Sequence, residues 1–164
     1  MKQGLAPILW PDSRVLILGS LPGDESLRLQ QYYANPRNHF WTILASIHRK
    51  TIEACYDQRI SFLRDHGISL WDVIQQADRT GSLDASIRNA TPNDFVELFA
   101  GAPTLRTIVF NGGAAARLFE RDVSKRIDLQ HVQLIPLPST SPIPGRNVLS
   151  LEQKIEKWKI ITHC

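Results

Sequence analysis

Arg14-Val15-Leu16-Ile17-Leu18-Gly19 is an apolar run that ends on a glycine and leads into Ser20-Leu21-Pro22-Gly23. A strand wetted on one face alternates apolar and polar residues, and this run does not, so it reads as a parallel strand buried on both faces. Ile68 to Val73, Thr107 to Phe110 and Val132 to Leu137 are three further strand candidates. Between them lie helical signals. Phe40 to Ile47 carries apolar residues at helical spacing, and Asp57 to His66 reads as a helix closed by Gly67. Asn111-Gly112-Gly113 turns into a helix over Ala114 to Arg121. Thr91-Pro92-Asn93-Asp94 offers a cap, a proline in the first turn and an early acid, which predicts a helix to about Phe99. Ser150 and Gln153 form a capping-box pattern for a final amphipathic helix to about Thr162. Gln75 to Asn89 is polar and gives no assignment.

Strands alternating with helices predict an α/β fold, a parallel sheet covered on both faces. No repeat, low-complexity tract or linker interrupts the chain, so residues 1–164 read as a single domain, long enough to bury a core without staples. With 43% hydrophobic and 21% charged residues the composition is that of a soluble globular protein. The apolar runs are too short to cross a bilayer, and Met1 to Pro7 lacks the apolar core of a secretory signal, so a cytoplasmic location is expected.

Cys55 and Cys164 are too few for a four-cysteine metal site and read as reduced and incidental. A net charge of +3 and a pI near 9.1 are compatible with a nucleic-acid partner without demanding one. The histidines show no metal-binding spacing, so no metal site is expected. The chain has no Gly-x-Ser-x-Gly elbow, which argues against a serine hydrolase, and Gly19 to Gly23 lacks the Gly-Lys-Ser/Thr ending of a P-loop.

In an open parallel sheet the site lies at the carboxyl ends of the strands, and the unusual loops all fall there. Gly19, Ser20, Leu21, Pro22 and Gly23 form a turn whose amides suit a small anion or a base, or serve only as a strand-to-helix turn. Tyr32 to Trp41, Tyr-Tyr-Ala-Asn-Pro-Arg-Asn-His-Phe-Trp, packs four aromatic rings with Asn35, Arg37, Asn38 and His39 around a proline. Aromatic faces stack on bases, Asn amides pair with base edges or hold a water, and Arg grips phosphate. Asp72 either accepts hydrogen bonds from a base edge or caps a turn. Asn111 and Gly112 open a helix whose free amides suit a phosphate, or simply cap it. Ser139, Thr140, Ser141 and Pro142 make a rigid hydroxyl-rich loop suited to phosphate oxygens, or an ordinary loop. His39 is either an exposed helix-start residue or a catalytic one.

Gly-Ser-Leu-Pro-Gly, the Tyr32 to Trp41 segment and Leu137-Pro-Ser-Thr-Ser-Pro142 occur in an order that resembles the uracil-DNA glycosylase superfamily, most closely its deoxyinosine (hypoxanthine) DNA glycosylase branch. Resemblance continues through Gly67 to Val73, Gly81 to Asp84, Pro92 to Phe95 and Phe110 to Gly112, spanning about Val15 to Trp158. It implies a three-layer sandwich with a central, mainly parallel four-stranded sheet flanked by helices. It also implies hydrolysis of the N-glycosidic bond of a flipped-out deaminated base, hypoxanthine or xanthine, a reaction expected to require neither metal nor organic cofactor. No lysine sits in these motifs to form a Schiff base, so no lyase activity is expected. The resemblance assigns Asn38 as the catalytic residue, orienting a water beneath C1′. Other branches carry Asn, Asp or Glu where this chain has Ser20, and many carry His where it has Ser139, departures that fit a deaminated-purine enzyme better than a uracil enzyme.

The expected base pocket comprises Gly19 to Gly23, Tyr32 and Tyr33 as alternative stacking faces, Phe40 and Asp72. Phe40 and Trp41 are also the residues expected to anchor the following helix in the core. Arg37, Asn111, Gly112, Ser139 to Pro142, Ile143 as an apolar wedge and Arg146 are the expected DNA contacts, with Arg146 equally readable as a solvated surface residue. The partner is double-stranded, or alternatively single-stranded, DNA, met by a monomer. Two competing readings are a uracil or mismatch-specific thymine glycosylase of the same superfamily and a non-catalytic nucleic-acid-binding module on the same fold.

Overall fold

A computed structural model of the chain describes residues 1–142 and 148–164. In chain order the strands and α-helices are β1 (Lys2–Gln3), β2 (Val15–Gly19), α1 (Asp24–Leu29), α2 (Phe40–Ile47), α3 (Tyr56–Asp65), β3 (Ile68–Asp72) and β4 (Ile74–Asp78). There follow β5 (Arg88–Pro92), α4 (Phe95–Gly101), β6 (Thr107–Asn111), α5 (Gly113–Asp122), β7 (Gln133–Leu137) and α6 (Leu151–Trp158). Among the described residues no helix is long and apolar enough to cross a membrane.

The four expected strands form one parallel sheet in the order β3-β2-β6-β7. Every residue of β2 is buried, as its unbroken apolar run requires. The pleat sends alternate residues to opposite faces. Val15 and Ile17, with Val109 and Ile135, meet α2, α3 and α6. Leu16 and Leu18, with Ile108 and Phe110, meet α4 and α5. The result is the expected three-layer sandwich. Pro136 is tolerated in β7 because that strand lies at the sheet's edge.

The helix starts follow the local signals with one exception, and α6, where the pattern predicts a helix to about Thr162, passes after Trp158 into a 3-10 turn at Lys159–His163. Ser150 accepts from the Gln153 amide at 3.2 Å while Gln153 Oε1 accepts from the Ser150 amide at 2.9 Å, completing the capping box of α6. Gly67 follows α3 with φ +66, a conformation that a side chain resists. The exception is α4, which starts at Phe95 rather than in the Thr91-Pro92 turn. Its cap is Asp94, whose carboxylate accepts from Glu97 N at 3.1 Å, and Pro92 instead ends β5.

The polar stretch from Gln75 to Asn89 is also ordered. It supplies most of β4, a single 3-10 turn at Asp84–Ser86 and the start of β5. With β1 these strands make a second, antiparallel sheet in the order β1-β4-β5. This small sheet carries Asp84 over the Ser20 turn, where the Ser20 hydroxyl bonds its carboxylate at 2.7 Å.

Phe40 is the pivot of the larger core. It is 0% exposed, stacks on Tyr33 at 3.9 Å between ring centroids and meets Trp41 and Trp158 edge-on at 4.9 and 6.2 Å. Deleting such a ring removes buried area and leaves a cavity. Phe40→Ala is expected to destabilise the fold by about 3–5 kcal/mol, read as a lower urea midpoint with unchanged slope.

Candidate active site

Parallel pairing aligns the carboxyl ends of the strands. Gly19 lies opposite Asp72, and Asn111 opposite Leu137, so the loops that follow these residues meet along one edge. They enclose a cavity of about 150 Å³. For comparison, a cavity of about that size holds one benzene ring. The whole Gly19 to Gly23 turn lines it, with Tyr32, Tyr33, Asn38, Asp72, Asn111 and Ser139 to Pro142.

Some expected members are elsewhere. Phe40 does not line the cavity, because its ring is consumed by the core beneath. Tyr32 is 3% exposed and its hydroxyl donates to Ala6 O at 2.8 Å, so it is a core residue at the cavity's edge and offers no stacking face. Tyr33 has one ring face covered by Phe40. Arg37 is exposed and outside the lining. Ile143 and Arg146 lie outside the described residues.

The innermost group is the Asp72 carboxyl, 4% exposed. A Cβ on Gly19 would stand 2.5 Å from Asp72 Oδ1 and 3.4 Å from the Tyr33 hydroxyl, so only glycine lets the three approach. Asp72 Oδ2 and the Tyr33 hydroxyl are both buried without a hydrogen-bond partner. Burial pushes the Asp72 carboxyl up to about 7, a shift opposed by the Arg79 guanidinium and assisted by the Asp84 carboxylate. Burial and the nearby Asp72 likewise raise the Tyr33 phenol, opposed by the Asn111 side chain beside it, whose approach falls short of a well-formed hydrogen bond.

Asn38 stands just before α2. Its Oδ1 accepts from the Phe40 amide at 2.9 Å, which identifies the oxygen and leaves the Nδ2 group as the free end. Among the described residues Nδ2 has no partner, and Asn38 lines the cavity. The adjacent His39 amide donates to Thr140 O at 3.0 Å, tying this segment to the far loop. His39 Nδ1 is buried and unpartnered, so His39 is not a solvated helix-start residue.

The Asn111 and Thr140 side chains are committed to each other. The Asn111 amide donates to Thr140 Oγ1 at 3.0 Å and accepts from Thr140 N at 2.9 Å, and Thr140 is 0% exposed. These reciprocal bonds brace the loop. Gly112 is likewise committed: its amide donates to Leu137 O at 3.0 Å, and at φ +95 a Cβ would stand 3.0 Å from the Ser139 Cβ. Ser139 is exposed, with its hydroxyl accepting from Ser141 N at 3.1 Å.

Two site residues carry no clear local signal in the sequence. Arg79, 8% exposed, donates to Leu21 O at 2.9 Å, to Gly81 O at 3.1 Å and to Pro22 O, holding the Gly19 to Gly23 turn by its carbonyls. Asp84 accepts from Ser20 Oγ at 2.7 Å and lies 3.9 Å from Arg79 Nη1. Both come from the unassigned polar stretch; the Gly81 to Asp84 resemblance points to Asp84, and nothing local points to Arg79.

The Asp72 shift has a sign. An acid with a pKa of about 7 when folded, against an ordinary value of 3.8, binds its proton more tightly folded, so stability declines as pH rises through that window. Asp72→Asn removes the titration. Relative to wild type, it is expected to melt progressively higher from pH 4 to pH 8, gaining several degrees, as thermal denaturation at both ends of the range will show.

Comparison with known proteins now bears on this geometry. The family model described as the uracil DNA glycosylase superfamily matches residues 7–159. The chain is 41% identical to a hypoxanthine DNA glycosylase of Methanosarcina acetivorans over 116 residues, 70% of this chain and 73% of that protein. It is also 41% identical to a hypoxanthine DNA glycosylase of Methanosarcina barkeri over 112 residues, 68% of this chain and 71% of that one. A solution NMR structure from Methanosarcina acetivorans, described as a candidate uracil DNA glycosylase, matches with a TM-score of 0.81 and 34% identity, covering 98% of this chain and 95% of that chain. The chain belongs to the uracil DNA glycosylase superfamily.

Proposed function

We propose that the protein is a DNA glycosylase that hydrolyses the N-glycosidic bond of a deaminated purine, hypoxanthine foremost, leaving an abasic site. The relatives named hypoxanthine DNA glycosylase support the substrate class. The observation that carries the reading to this chain is the pair of buried, unpartnered groups at the inner end of the cavity, Asp72 Oδ2 and the Tyr33 hydroxyl. A carboxyl pushed up to about 7 is substantially protonated at neutral pH and donates a hydrogen bond. Hypoxanthine presents a carbonyl oxygen where adenine presents an amino group. A donor at that point accepts the deaminated base and leaves adenine's amino group without an acceptor.

The target nucleotide leaves the stack at a cost of a few kcal/mol, least for a mispaired base. As the C1′–N bond breaks, positive charge grows on the sugar and negative charge on the base. Asn38 is the residue proposed to act on that charge. With its oxygen held by Phe40 N–H, its free Nδ2 is a preorganised donor toward the departing base. Ser139, Ser141 and Pro142 border the cavity mouth and suit the DNA backbone beside the extruded nucleotide. The whole chain acts in this reading as one domain and as a monomer on double-stranded DNA.

Duplexes carrying hypoxanthine, xanthine or uracil, treated with enzyme and then alkali, test the substrate. Cutting is expected at hypoxanthine. Strong cutting at uracil with none at hypoxanthine makes the protein a uracil enzyme, and no release from any lesion makes it a binding module. Asn38→Ala is expected to lower the single-turnover rate by about 10²–10³ while affinity for lesion DNA stays within about threefold.

A further inference from the structure

We infer that Asp84, held by Ser20, is a second catalytic residue, the acceptor of the proton from the attacking water. The assignment rests on the glycosylase reading of the same cavity. Hydrolysis needs a group to take the proton of the attacking water, and Asn38, whose free Nδ2 can orient a water, cannot: an amide does not ionise usefully, and its oxygen is occupied by Phe40 N–H. His39, the nearby imidazole, is not among the residues lining the cavity, so the need falls on a carboxylate there.

Four carboxylates line the cavity, Asp24, Glu25, Asp72 and Asp84. Asp24 is paired with Lys2 at 2.6 Å, and Glu25 is held by both arms of Arg28. Asp72 is sealed at the inner end, where burial favours its neutral form. Asp84 differs from all three. Its side chain is 46% exposed, Ser20 Oγ fixes Oδ1 at 2.7 Å, and Oδ2 has no hydrogen-bond partner among the described residues. Arg79, buried behind it at 3.9 Å, is itself locked onto Leu21 O and Pro22 O, so the carboxylate is anchored to the turn that walls the cavity. A base must be rigidly placed at the site, and this arrangement holds Asp84 on the cavity wall through residues far apart in the chain.

In the step proposed, a water oxygen gives an electron pair to C1′ as the C1′–N bond breaks and its electrons leave with the base. One water proton passes to Asp84 Oδ2. The departing base takes a proton from solvent, and Asp84 later returns its own to solvent, so one water is consumed in total.

Asp84→Asn keeps the shape and the Ser20 contact and removes the proton acceptor. Its single-turnover rate on hypoxanthine duplex is expected to fall at least about 10²-fold, the lower range for general-base catalysis, with affinity for lesion DNA within about threefold. Asp84→Ala is the second variant: sodium formate, a carboxylate small enough to enter the gap, is expected to raise its rate about tenfold or more while leaving Asn38→Ala unchanged. A rate for Asp84→Asn within threefold of wild type overturns the assignment and leaves the glycosylase reading standing. Loss of DNA affinity in step with rate, or an Asp84→Ala rate that formate does not raise, also overturns it, assigning Asp84 to the scaffold. Wild-type protein that releases no base from any lesion overturns both readings.

Discussion

The site depends on the contact between Gly19 and Asp72. Parallel pairing of the first two sheet strands sets these residues side by side, and the missing Cβ of Gly19 lets the Asp72 carboxyl sit where a side chain would stand 2.5 Å away. Sealed there, the carboxyl loses its water. Arg79 offsets only part of that loss, and burial drives the group toward neutrality, with a pKa of about 7. A strand register and an absent methyl thus shift a residue usually read as a fixed negative charge toward its neutral form.

Polar bonds between distant segments hold everything else around this point. Arg79 grips the carbonyls of the Ser20 turn from the second sheet. Asn111 uses both ends of its amide on Thr140, Thr140 O accepts from His39 N, and Trp158 Nε1 donates to Pro138 O at 2.9 Å. The His39, Asn111 and Thr140 segments are therefore pinned to one another, and the Ser20 turn to the second sheet, before any DNA arrives. Hydrogen bonds out of water are strong when fully made, and a preorganised wall needs no rearrangement as charge develops.

Much of this is legible from local patterns, and the failures have physical causes. Val15 to Gly19 announces a doubly buried strand because nothing polar interrupts it, and Ser150 with Gln153 announces a helix start because the cap is made by neighbours. The second sheet is invisible in the sequence because few of its residues are buried and its register shifts between Ile74 and Gln76 and again between Gln76 and Asp78. With little buried face there is little period to read. Pro92 misleads for a related reason: it suits a helix's first turn and the end of an edge strand equally well, and the antiparallel pairing with β4 chose the strand.

The sequence by itself determined the four strands of the parallel sheet, most of the helices that cover it, and that the Gly19, Tyr32 and Pro138 loops gather at one edge of that sheet, since apolar runs, caps and turns act over a few residues. The tertiary structure decided which polar atoms in those loops remain free. It committed the Asn38 oxygen, the Thr140 hydroxyl and the Gly112 amide to partners, buried Tyr32, and left Asp72, Tyr33 and one oxygen of Asp84 unpaired at the cavity. Hydrogen-bond commitment and loss of water depend on neighbours brought from elsewhere in the chain, as Asp84 reaches Ser20 across 64 residues, and no local pattern carries that information.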